Sequence, residues 1–242
     1  MTVILSLLFI ASLVQSIAGF GFGMMFVPLG LMLLEPSLVV PVSVISSTCL
    51  SAILVATHYK KSRFKQCLPM LIAGILTTPI GAKALVLLNG DLIKLGIALL
   101  MIITSIAMIK GLHILIAKEK LGFIIVGLMS GFVGGLCGIG APPVVLFLVN
   151  QNIKKEVFRA NMMIYFFIIS FMTSISYYFN GLITEEIKTI VLYSIPVVSI
   201  GFFFGLIIHR FLSEDRFKKV VLFIVLSSAI LLLIQLGVLG LF

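Results

Sequence analysis

The sequence predicts an all-α membrane protein built as an inverted repeat. Each half is a re-entrant helical hairpin followed by three transmembrane helices, which makes six full crossings and two hairpins. Three observations carry this expectation. Hydrophobic residues make up 61% of the 242 and charged residues only 10%. Soluble domains run near 25% charged and below 50% apolar, so this chain takes lipid for its solvent. Two apolar stretches are broken by glycine, at residues 19–23 (GFGFG) and 134–140 (GGLCGIG). Finally, the basic residues collect on one side of the membrane only if both broken stretches turn back.

The apolar stretches fall at 2–34, 37–57, 67–88, 92–117, 121–149, 160–179, 187–208 and 218–241. Six of them have roughly 20 to 26 residues, enough for one crossing each. The first and fifth are longer and interrupted. Glycine at such density weakens a helix, and proline breaks one unless it sits in the first turn, which is where Pro142 and Pro143 would fall. Each interrupted stretch therefore reads as two half-helices around a loop, 2–17 with 24–34 and 121–135 with 141–149. Halves of that length fall short of a hydrocarbon core about 30 Å thick. The N-terminal apolar stretch has no basic residue ahead of it and reads as mature protein, not as a cleaved signal.

The chain divides into a first repeat, 1–117 (hairpin 2–34, helices 37–57, 67–88 and 92–117), and a second, 118–242 (hairpin 121–149, helices 160–179, 187–208 and 218–241). A shift of 117 puts Gly21-Phe22-Gly23 on Gly138-Ile139-Gly140. A shift of 124 puts Gly81 on Gly205, Asp91 on Asp215 and Lys94 on Lys218. Internal duplication is a common build for proteins with a site at the bilayer midplane.

If all eight stretches crossed, the basic loop residues would divide evenly between the two sides. With two hairpins, the loops 58–65, 110–120, 150–159 and 209–219 share one side and hold fourteen of the seventeen lysines and arginines. Lys83, Lys94 and Lys188 remain opposite. That asymmetry is what cytoplasmic loops carry, and it places both termini outside a cytoplasmic (inner) membrane. The net charge of +9 is then loop charge. No basic run with interleaved aromatics suggests nucleic acid. Cys49, Cys67 and Cys137 show no metal or disulfide spacing. No cofactor, metal site or catalytic residue is expected. The partners are a small anionic solute and membrane lipid, with a homodimer left open.

Broken helices at matching positions point to a solute site, and their physics favours an anion. A helix start exposes unpaired amides and a positive dipole end, and glycine lets a ligand approach them. None of the eight acids (Glu35, Asp91, Glu119, Glu156, Glu185, Glu186, Glu214 and Asp215) falls mid-crossing, where cation- or proton-coupled carriers keep one. An anion leaving the cell would run down the membrane potential, about 2.3 kcal/mol per charge at 100 mV. The candidate binding residues are Gln15, Ser16, Gly19, Phe20, Gly21, Phe22 and Gly23 around the first break, and Ser46 and Ser47 in the second span. Gly138, Ile139, Gly140, Ala141 and Pro142 belong to the second break, and Arg159 and Asn161 come after it. The glycines could equally permit close helix packing, and the serines could bond between helices. Tyr177 and Tyr178 read as an interfacial pair.

The segments QSIAGFGFGMMFVPL and SGFVGGLCGIGAPPVVLFLV resemble the paired signatures of the sulfite exporter TauE/SafE family, and the resemblance extends over essentially the whole chain. It implies a transporter, chiefly an exporter, of sulfite, sulfonates or related organosulfur anions. Gly19, Gly21, Gly23, Gly138, Gly140 and Pro142 match its tip positions. Ala141 stands where the family typically has glycine. Two other readings stay open. A cation or metal permease would want a carboxylate or Met/His cluster at depth. A membrane enzyme or assembly factor would have Cys137 as its one candidate nucleophile at a tip.

Overall fold

The computed structural model describes residues 1–58, 62, 64–110, 119–148 and 155–209, with the isolated helical positions Leu226, Ile230, Ile234 and Gly237. Among these residues the secondary structure is helical, with no strand. The helices are α1 (Thr2–Ala18), α2 (Phe22–Gly30), α3 (Pro36–His58), α4 (Leu68–Leu87), α5 (Gly90–Ile109), α6 (Glu119–Cys137), α7 (Ala141–Leu148), α8 (Lys155–Phe179) and α9 (Glu185–His209). A short 3-10 turn, Phe64–Cys67, leads into α4.

Both interrupted stretches are broken where glycine density places the break. The helix ends differ from expectation by a few residues. The second short arm starts on Ala141 as expected, but the first starts at Phe22 and ends at Gly30, not at 24 and 34. The long arm of the second stretch has 19 residues where 121–135 was expected. Six helices are long and apolar enough to cross a membrane, namely α3, α4, α5, α6, α8 and α9. Five coincide with expected crossings and α6 is the addition. The expected crossing 218–241 lies outside the described residues apart from the four isolated positions. So do most of the basic loop residues behind the charge argument.

Prolines 28, 41, 79 and 196 lie inside helices, as the uninterrupted segments expected there require. At membrane depth, neighbouring helices re-satisfy the carbonyls a proline frees.

The packing crosses between the halves. α4 lies chiefly against α6, and α1 against α9. In the first pair Met70 meets Gly127, Gly74 meets Gly131 and Thr78 meets Gly135. The numbers rise together, so the helices run parallel. Backbone touches backbone along this line, and a Cβ on Gly127, Gly131 or Gly135 would collide with a main-chain carbonyl of α4. In the second pair Gly201 meets Phe9 and Ser12, and Gly205 meets Leu13 and Ser16, again in parallel. α3 and α8 run oppositely. Thr48 lies 3.4 Å from Ser174 late in α8, whereas Ser62, past the end of α3, donates to Asn161 early in α8 at 2.9 Å.

α2 and α7 are buried almost throughout. The outward faces of the longer helices carry exposed Leu76, Ile80, Ile103, Leu192 and Phe203, which suits contact with lipid. At one end, the buried Lys94 of α5 ties the α2–α3 connection down, with its Nζ 3.1 Å from Glu35 Oε1 and 3.7 Å from Asp91 Oδ1.

Candidate functional site

The two breaks meet in the interior. α1 ends on Gly19, whose N–H donates to Gln15 O at 2.7 Å. Gly19 has φ 83° and Gly21 φ 100°, left-handed values that only glycine adopts without strain. α6 ends the same way, with Gly138 at φ 69° donating to Gly134 O at 2.9 Å. The structural correspondence is therefore Gly19 with Gly138 and Phe22 with Ala141, an offset of 119 positions and not the 117 of the residue-type match. The tips touch directly, since a Cβ on Gly23 would strike the carbonyl oxygen of Gly138.

Beside this contact lies a cavity of about 60 Å³. One water needs about 10–15 Å³ on this measure, so the space suits a solute of a few heavy atoms. Its walls come from four places. The end of α1 and the first break give Gln15, Phe20, Gly21, Phe22, Gly23 and Met24. α3 gives Val44 and Ser47. The second break gives Gly134, Gly138, Ile139, Gly140 and Ala141. α8 gives Phe166, Ile169, Ser170 and Thr173. None of these side chains carries a charge.

The donors are main-chain amides. In the first turn of α2, the N–H groups of Phe22, Gly23 and Met24 have no intrahelical acceptor, and the N-cap residue, Gly21, has no side chain to cap them. α7 is different. Both break helices were expected to offer free amides, but Pro142 and Pro143 occupy its first turn and have none to give, so Ala141 alone supplies one. The side chains mostly present acceptors. Ser170 Oγ donates to Phe166 O at 2.6 Å, Thr173 Oγ1 to Ile169 O at 2.7 Å and Ser47 Oγ to Gln15 Oε1 at 3.3 Å. Gln15 Nε2 in turn donates to Ser51 Oγ at 2.8 Å.

The second break is pinned from outside. Ser130 Oγ donates to Gly140 O, and the Tyr177 hydroxyl to Gly135 O, each at 2.7 Å. Tyr177 is fully buried, so only Tyr178 of the expected interfacial pair faces outward. Successive helix residues point about 100° apart, which puts the two tyrosines on different faces.

Ten of the sixteen candidate residues line the cavity: Gln15, Phe20, Gly21, Phe22, Gly23, Ser47, Gly138, Ile139, Gly140 and Ala141. The others lie off it. Gly19 closes α1, Ser16 donates to Phe202 O at 2.9 Å, and Ser46 pairs with Ser194 at 3.2 Å. Pro142 is buried in α7, and Asn161 accepts from Ser62. The side chain of Arg159 is outside the described residues. The α8 residues were not anticipated. Their spacing, 166, 169, 170 and 173, is one helical face, and Ser170 and Thr173 are its polar marks in an apolar stretch.

Residues 4–232 match the family described as Sulfite exporter TauE/SafE. No curated protein and no solved structure matches the chain. The match covers nearly the whole chain, the long apolar helices suit a membrane and the paired glycine breaks fall inside the matched region, so the chain belongs to the sulfite exporter TauE/SafE family of membrane transporters.

Proposed function

We propose that the protein exports a small anion, such as sulfite, a sulfonate or a related organosulfur compound, and binds it in the cavity between the two breaks. The observation that carries this reading is an uncharged cavity whose fixed donors are the three amides opening α2. Charge transfer into a low-dielectric site costs in proportion to the square of the charge. A cavity without a counter-charge therefore suits a monoanion, such as a sulfonate or hydrogensulfite, better than a dianion. Phe20, Phe22, Met24 and Phe166 would accommodate a short apolar tail.

The architecture we assign is two re-entrant hairpins, α1–α2 and α6–α7, in an inverted repeat within the cytoplasmic membrane, with the basic loops inside. Helix directions support it. Gly134 approaches Ile169, and Cys67 approaches Asn161 while Gly74 approaches Ile169. Hence α8 runs parallel to α4, and α4 to α6. A single crossing by α6–α7 would instead leave α8 antiparallel to α6. The exchanged pairs α1–α9 and α6–α4 are what a two-fold relation between the halves would give. Among the described residues no three His, Cys, Asp or Glu side chains come together.

The test is flux of methanesulfonate and of sulfate from proteoliposomes under an imposed potential. We expect methanesulfonate to leave faster as the interior is made more negative, and sulfate to lag behind it. Flux indifferent to voltage but dependent on a proton gradient would reject uncoupled export.

A further inference from the structure

A second group of polar residues lies between the cavity and the end of the molecule that holds Ser62. On α8, Asn161, Tyr165, Ile169 and Thr173 succeed one another at four-residue intervals, and all are buried. Ile169 and Thr173 line the cavity. Below them, Tyr165 is fully buried, and its hydroxyl approaches Ser130 without a hydrogen bond of good geometry. Ser130 holds the cavity-lining carbonyl of Gly140. Farther along, one helical turn before Tyr165 on α8, Asn161 approaches Cys67 at the foot of α4 and receives the hydroxyl of Ser62. Ser62, Asn161, Cys67, Tyr165, Ser130 and Gly140 thus form one polar run across α8, α4 and α6. Hydrogen bonds that serve only to join helices would leave isolated pairs. This run has a direction, and it begins at the cavity wall.

The tyrosine ring is the obstruction. It packs against Gly74, where a Cβ would come within 2.8 Å of the Tyr165 hydroxyl and of Ile169 Cδ1, so its ring closes the space between α4 and α8. A polar group at membrane depth that only needed burial would be fully bonded. A hydroxyl held without a good partner gives up no hydrogen bond when its ring turns away.

We infer that this run is the route by which solute passes between the cavity and the Ser62 end of the protein, with Tyr165 as its gate. The inference deepens the transport reading and rests on it. It names the path out of that cavity and the residue that closes it.

The native Cys67 is the reporter. With Cys49→Ala and Cys137→Ala, it is the one cysteine left, and a membrane-impermeant thiol reagent can be applied to either face of oriented vesicles. Modification should occur only from the Ser62 face, slowly in the parent, because its rate tracks the open fraction. Tyr165→Ala should raise it by about tenfold or more, and Tyr165→Phe, which keeps the ring, should raise it much less. Methanesulfonate should slow modification in the parent, and modified Cys67 should block methanesulfonate flux. Unchanged labelling in a folded Tyr165→Ala protein, or equal labelling from both faces, would overturn the gate. If Tyr165→Ala does not fold, the parent decides alone, and a Cys67 that stays unlabelled for hours, or is labelled from the opposite face, rejects the route. Absent methanesulfonate flux with Ser62-face labelling still raised by Tyr165→Ala would instead reject the solute reading and keep the gate.

Discussion

The two breaks look like copies in sequence but are built for different work. The first, Gly19–Gly21, leaves three unpaired amides at the head of α2. The second, Gly138–Gly140, runs into two prolines that remove all but one, and it is fastened by Ser130 of its own long arm and by Tyr177 of α8. One tip offers donors, and the other is a braced wall that holds the first in place through the Gly23–Gly138 contact. Likeness of glycine pattern therefore does not imply likeness of role. The role is set by the residues on the C-terminal side of the glycines, Phe22 to Met24 in one break and Ala141 to Pro143 in the other.

The comparison is broken most severely at the contact itself. Gly23→Ala puts a methyl group into the Gly138 carbonyl, and such overpacking costs about 1–3 kcal/mol. We expect anion flux to fall by roughly tenfold to a hundredfold, with the protein still folded as judged by size exclusion and circular dichroism. Tyr177→Phe tests the brace. It leaves the buried Gly135 carbonyl without its side-chain donor, a loss of about 1–3 kcal/mol, which should lower the thermal unfolding temperature in detergent more than it lowers methanesulfonate affinity. Gln15→Leu sharpens the donor side. Removing the amide that orders Ser47 and Ser51 should weaken methanesulfonate binding several-fold, roughly 1 kcal/mol, in isothermal titration. The smallest effect belongs to the remote ion pair. Lys94→Met should change stability by about 1 kcal/mol or less, because Glu35 is 67% exposed and water screens the pair.

Much of the fold was legible in the residues alone. The five expected crossings inside the described region appear, four of them within about five residues of both expected ends, because long apolar runs leave little freedom at membrane depth; the expected end of the fifth, at 117, lies outside the described residues. Both breaks were legible from glycine and proline. Their register was not. Matching GFG to GIG gives an offset of 117, whereas the left-handed residues that end each long helix, Gly19 and Gly138, set it at 119. Residue type alone does not tell which glycine takes positive φ. The α8 wall was missed because Phe166 and Ile169 have the composition of any lipid-facing turn, and only tertiary packing turns their face inward. Tyr177 was misread for the same reason, since a tyrosine pair near a helix end looks interfacial until one of the two is seen to point at a carbonyl.

The crossed pairing of the long arms has a consequence for how the chain comes to be folded. Among the described residues α1 finds its main neighbour in α9, and α6 finds its own in α4, so each long arm packs chiefly on a helix of the other half. The flank of α4 that receives the glycines of α6 therefore stays without its partner until the later residues arrive. The two halves are clasped, like the fingers of two hands, and are not set side by side.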